Sequence, residues 1–195
     1  MSEIKLHLGC GKRYLPGYIH IDYSDYKHID HVHSVAKLPM IENDSVSVIY
    51  ASHVLEYFGE AEAEAVLTEW LSKLRLDGIL RLAVPNFAAL CEVYQSYRDL
   101  CADPLKLISG PIFGHWCTKG SDILGDYWLQ HKCLYDYRKL SNRLFKVGFS
   151  SVRVWDWREV FIGELAGFDD YSQAYIPHMN KEDGVLISLN VEAIR

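Results

Sequence analysis

Two glycines, a carboxylate and a histidine are the residues of this sequence whose types and spacing could do chemistry. Gly9-Cys10-Gly11 follows directly on the apolar run Ile4–Leu8, and Asp22 ends the next run, Tyr18-Ile19-His20-Ile21. In α/β folds ligands bind beyond the carboxyl ends of parallel strands. Glycine is wanted there because a side chain would hold the backbone away from the ligand. A bare Gly-x-Gly is most often only a turn; Asp22 sharpens it, since a carboxylate there could accept hydrogen bonds from both hydroxyls of a ribose. The rival is a dinucleotide loop, G-x-G-x-x-G, but Tyr14 stands at its third glycine. Only 10 residues separate Gly11 from Asp22, too few for the usual helix whose N-terminus holds a pyrophosphate. A cofactor without phosphate fits better.

His53 follows the apolar run Val46–Ala51 and is the candidate catalytic residue, since imidazole titrates near neutral pH. The plainer reading is a helix-start residue bonded to backbone, and Glu56 reads as structural. His115-Trp116-Cys117 and His131-Lys132-Cys133 repeat a His-x-Cys unit that could bind zinc if brought together. No Cys-x-x-Cys is present, and no metal is expected. Between Phe113 and Tyr175 lie 14 of the 25 aromatic residues, which suits a buried core or an acceptor pocket equally.

These residues must be held by an α/β scaffold. Short apolar runs at Ile4–Leu8, Tyr18–Asp22, Val32-His33, Val46–Ala51, Ile79–Val84 and Val152–Trp155 predict strands, and Val185–Ile194 a last one. Val66, Leu67, Trp70, Leu71 and Leu74 keep the 3.6 period and predict a helix over Glu60–Arg75, stopped by Asp77-Gly78. Helices are also predicted over Phe87–Leu100 and Tyr137–Lys146, while Asp103–Leu134 has no clean period. The 195 residues suggest one domain, 1–195, able to bury a proper core. With 20 Lys+Arg against 26 Asp+Glu, the net charge of −6 gives no footprint for nucleic acid. The five scattered cysteines argue against a disulfide framework, and neither a signal peptide nor a membrane span is legible, so a cytoplasmic protein is expected.

Leu8-Gly9-Cys10-Gly11, Asp22, Ala36-Lys37-Leu38-Pro39, Ser52-His53-Val54-Leu55-Glu56 and Leu76-Asp77-Gly78-Ile79-Leu80, in that order, resemble class I SAM-dependent methyltransferases. The likeness is greatest to a small branch whose first loop runs Leu-Gly-Cys-Gly and is followed by Pro16-Gly17-Tyr18. The resemblance implies a Rossmann-like fold, a mainly parallel sheet with an antiparallel last strand, and helices after the first two strands shortened to loops. It implies S-adenosyl-L-methionine (SAM) as cofactor and S-adenosyl-L-homocysteine as product. Gly9, Cys10 and Gly11 would pass its methionine part, Asp22 would hold the ribose, and Ser34 and Val35 would lie at the adenine. Ser52 and His53 would line the floor near the sulfonium. Ser34 stands where the family usually carries an Asp.

The expected activity is methyl transfer to a small-molecule or glycan acceptor, with segment 103–134 on the acceptor side. No nucleic-acid or membrane partner is expected, and the oligomeric state stays open. A catalytically silent SAM-binding module and a nucleotide-dependent oxidoreductase are the alternatives.

Overall fold

The computed structural model describes residues 3–100, 108–114, 116–118, 127–178 and 180–195, with backbone alone at 116–118 and 127–129. Seven strands form the central sheet: β1 (Ile4–Leu8), β2 (Ile19–Asp22), β3 (His31–Val32), β4 (Val46–Ser52), β5 (Leu74–Pro85), β6 (Ser151–Val154) and β7 (Ser188–Ile194). Their order is β3-β2-β1-β4-β5-β7-β6. The first five run parallel, and β7 runs antiparallel to both of its neighbours. That is the α/β, Rossmann-like arrangement expected, including the antiparallel last strand.

Alternate side chains of each strand face opposite sides of the sheet. One side is closed by two helices, α1 (Glu60–Lys73) and α3 (Tyr137–Val147). Their Val66, Leu67, Trp70, Leu140 and Leu144 share one core with Leu6, Ile49, Leu80 and Val191 of the strands. Trp70 is fully buried, and its indole N–H donates to the Val35 carbonyl at 2.8 Å.

The opposite side has no helix between β1 and β4. Residues 9–18 and 23–30 cross between parallel strands as loops, as expected, although such crossovers usually take a dozen residues or more. Aromatic residues cover that side instead: Trp155 and Phe161 pack on Tyr50 and Leu15, with Phe168 against them. Part of the aromatic excess after residue 113 is therefore core. A third helix, α2 (Phe87–Tyr97), buries Leu90 and Val93 against Ile108, Ile176 and Ile187.

Three boundaries differ from the pattern in the sequence. α1 ends at Lys73, and β5 begins at Leu74 rather than at Ile79. Pairing with β4 advances from Val46 to Val48 while β5 advances from Leu74 to Ile79, so Leu76-Asp77-Gly78 bulges outward. A Cβ on Gly78 would sit 2.8 Å from the Arg75 carbonyl, which explains the glycine. The run Val185–Ile194 is split: Val185–Leu186 pairs with Tyr175–Ile176 in a separate ribbon, and only Ser188 onward enters the sheet. Within the irregular segment, Ser109–Phe113 is a short helix and Trp116–Thr118 pairs with Tyr127–Leu129. Residues 103–107, 115 and 119–126 lie outside the described residues.

Candidate functional site

The parallel strands β1, β2, β4 and β5 all end on one edge, which brings Gly9–Gly11, Asp22 and Ser52-His53 together. Gly9 leaves β1 at φ +62° and donates its N–H to the Ile21 carbonyl at 2.8 Å. Gly11 follows at φ +54°, and its N–H donates to Asp22 Oδ2 at 2.8 Å. The other oxygen, Oδ1, accepts the Ser24 N–H at 2.7 Å. Asp22 is thus 8% exposed and bonded through both oxygens. It cinches the glycine loop to the end of β2. Each carboxylate oxygen has two acceptor sites, so one on each remains for a ligand hydroxyl.

The glycines differ in why they are glycine. A Cβ on Gly11 would meet nothing within 4 Å, so the loop there faces open space. A Cβ on Gly9 would lie 2.4 Å from Val54 Cγ2. Gly9→Ala combines left-handed strain with that overlap and is expected to cost roughly 2–5 kcal/mol. Urea unfolding checks this, and Val54→Ala in the same chain should recover at least about 1 kcal/mol by coupling. Additive losses would mean the contact with Val54 is not the cause. Cys10 is buried, and burial, helped by the Asp22 carboxylate, pushes its thiol up to about 12. Small size, not reactivity, suits it to the loop.

His53 also takes a left-handed backbone, φ +54°, and its N–H donates to the Ala83 carbonyl at 2.8 Å. Its Nδ1 lies 3.2 Å from Glu56 Oε1, and its Nε2 lies 3.3 Å from Ser188 Oγ on β7. The Glu56 side chain is fully buried, and neither of its oxygens accepts a well-formed hydrogen bond; the close approach to His53 is out of line. Sequence reasoning left Glu56 as structural, although its i, i+3 spacing from His53 was a readable signal. The Tyr171 ring stands 5.3 Å from the His53 ring, and the Arg13 guanidinium lies 4.9 Å over Tyr171. Arg13 belongs to the glycine loop and its Nε donates to the Asp169 carbonyl, so segment 169–171 reaches over that loop.

Ser34 is exposed after β3, with its hydroxyl accepting the Ala36 N–H at 3.3 Å. Val35 is buried in the main core. Of the His-x-Cys units, His115 and the Cys117 side chain lie outside the described residues. His131 Nδ1 donates to the Pro111 carbonyl at 2.8 Å, and Cys133 Sγ donates to Glu60 Oε1 at 3.2 Å, so this pair looks to different partners. Among the described residues no group of three or more metal-ligating side chains comes together.

No family model matches the sequence, and no curated protein matches it. Solved structures do. A SAM-dependent methyltransferase from Archaeoglobus fulgidus aligns with TM-score 0.56 at 14% identity, over 100% of this chain and 86% of that one. An S-adenosylmethionine-dependent methyltransferase from Mesorhizobium loti aligns with TM-score 0.51 at 14% identity, over 100% and 91%. The 1,6-didemethyltoxoflavin-N1-methyltransferase of Burkholderia thailandensis, solved with that compound and S-adenosylhomocysteine bound, aligns with TM-score 0.51 at 10% identity, over 98% and 70%. With its strand order and its antiparallel β7, the chain has the class I fold of SAM-dependent methyltransferases.

Proposed function

We propose that the chain is an enzyme that moves a methyl group from SAM to a small-molecule or glycan acceptor. The observation that carries this reading is the bond from the Gly11 N–H to Asp22. It sets an open glycine loop beside a carboxylate with acceptor sites to spare, at the carboxyl edge of a parallel sheet. Those residues suit an adenosyl group joined to a methionine: backbone at Gly9–Gly11 for the amino-acid part, Asp22 for the ribose. Ser34 and Val35 after β3 would lie at the adenine, and Ser52 and His53 at the floor. When bound, SAM supplies a methyl on a sulfonium, already activated for transfer. The protein's part is then to align the acceptor and exclude water.

His53 is the residue we place beside the transferred group, with segment 103–134 on the acceptor side. Among the described cysteines, Cys10, Cys91 and Cys133 are free thiols; a cytoplasmic setting is part of the same proposal. Among the described residues no helix is long and apolar enough to cross a membrane.

Calorimetric titration with SAM, S-adenosylhomocysteine and NAD tests the reading. SAM and its demethylated product should bind, and NAD should not. Gly11→Ala should weaken SAM binding about tenfold or more while costing only about 1–2 kcal/mol of stability, because its new methyl meets ligand rather than protein. Tighter binding of NAD than of SAM would sink the reading.

A further inference from the structure

Glu56, His53 and Ser188 have the residue types of an acid–imidazole–nucleophile triad, and the direction of their hydrogens decides what they do. Three elements meet here: the β4 end with His53, the turn carrying Glu56, and β7 with Ser188. The buried polar chain continues beyond Ser188 through Asn190, Ser172 and Asp170 to Tyr50.

The accounting starts at its fixed points. Asn190 Nδ2 donates to the Ser172 carbonyl at 2.9 Å, and a carbonyl can only accept. That orients the amide, so Asn190 Oδ1 is the atom 3.0 Å from Ser188 Oγ. Asn190 is 2% exposed, and the Ser188 hydroxyl has one hydrogen, which goes to Oδ1. Ser188 Oγ can then only accept from His53 Nε2. The hydrogen direction is inward throughout: His53 to Ser188 to Asn190 to Ser172. At the far end, the Ser172 hydroxyl and the Tyr50 hydroxyl both donate to Asp170.

This leaves Nδ1 facing Glu56. A fully buried carboxylate without donors is costly unless a proton or a positive charge accompanies it. The His131 Nε2 is also near, 3.8 Å from Glu56 Oε1, inside segment 103–134.

We propose that His53 is a positioning residue whose Nε2–H is spent on Ser188, which leaves its Nδ1 to face the buried Glu56 side chain. Held to Ser188, His53 pins the left-handed turn at 52–54, and with it Val54, against Gly9. It takes no proton from an acceptor, and Ser188 is not a nucleophile. On the methyltransferase reading, a hydroxyl acceptor gives its proton to another group. The hydrogen-bond assignment itself does not depend on that reading.

The test is long-range ¹⁵N–¹H correlation spectroscopy of the histidine-labelled protein between pH 6.5 and 8, with His53 assigned by its loss in His53→Gln. The proposal expects a protonated-type Nε2 resonance throughout that range, and the same in Glu56→Gln, with the Nδ1 resonance the one that changes. A lone-pair-type Nε2 with a protonated Nδ1 would overturn it, because Ser188 would then be donating to the ring. If Glu56→Gln fails to fold, the native spectrum decides alone. Calorimetry with SAM on the same sample keeps failure of the proposed function separate from failure of the assignment.

Discussion

Asp22→Ala is expected to weaken SAM binding about 10- to 150-fold, the equivalent of losing roughly 1.5–3 kcal/mol of charge-assisted hydrogen bonding. The same change removes the acceptor for the Gly11 and Ser24 N–H groups, so it should also lower stability by about 1–3 kcal/mol. Both effects come from one side chain, and Asp22→Asn helps to part them. Its amide keeps one acceptor oxygen but turns an NH₂ toward one of the two backbone donors. Asn should therefore lose stability much as Ala does, yet retain more of the affinity. Titration calorimetry and urea unfolding on the three proteins make the comparison. A folded Asp22→Ala protein that binds SAM unchanged would remove the ribose assignment and leave Asp22 as the cinch of the loop.

Acid should loosen this fold well before its carboxylates protonate. His7 lies one residue from the end of β1, 2% exposed, between the rings of His20, Tyr50 and Phe168. Burial first, and then the neighbouring His20, His28 and Arg13, lowers its pKa to about 3. The unfolded chain takes that proton near pH 6.5, so between pH 6.5 and 3 the unfolded state binds more protons. Stability is complete above that window and falls as pH falls through it. At pH 5 the loss from His7 alone is about 2 kcal/mol relative to pH 8. His20, lowered by burial against the opposing pull of Asp30, adds in the same direction. His7→Phe keeps an aromatic ring among aromatic rings and gives up no hydrogen bond at Nδ1, which has none. Urea unfolding at pH 8 and pH 5 should show the wild type losing about 2 kcal/mol or more, and His7→Phe recovering most of it. Equal stability of the wild type at both pH values would show that His7 is not the acid-labile group.

Most of the sheet was legible because buried parallel strands announce themselves as apolar runs between turns, as Ile4–Leu8 and Val46–Ala51 do. The start of β5 was not. Leu74 belongs to the helical period by spacing, and only its pairing with Val46 makes it strand. The separate ribbon was hidden for a similar reason: Val185–Leu186 and Ser188–Ile194 read as one run, but Asn86 donates to the Ile187 carbonyl at the break. At the site, glycines and Asp22 were legible because their spacing follows the strand ends. Glu56 could have been read from its i, i+3 spacing to His53, whereas Ser188 and Asn190 could not, since they lie more than a hundred residues from His53 and only β7 brings them there. His7 read as an ordinary strand residue; its acid lability arises from rings contributed by three other elements.

The place of β7 sets an order on how this chain can acquire its shape. Among the described residues β6 meets the sheet only through β7, which is inserted between it and β5. β6 is therefore an orphan until a strand more than thirty residues later is in place, and closure of the sheet waits on contacts that span over a hundred residues. Such distant pairings slow folding. Glu192 gives that late step a key: buried in β7, it accepts from Arg81 of β5 and Arg153 of β6, both at 2.8 Å. A one-residue slip of β7 would turn this carboxylate onto the face where Val191 and Ala193 now pack and strand it among leucines. A slipped register would therefore bury an unpaired carboxylate, whereas the native one seats it between two arginines.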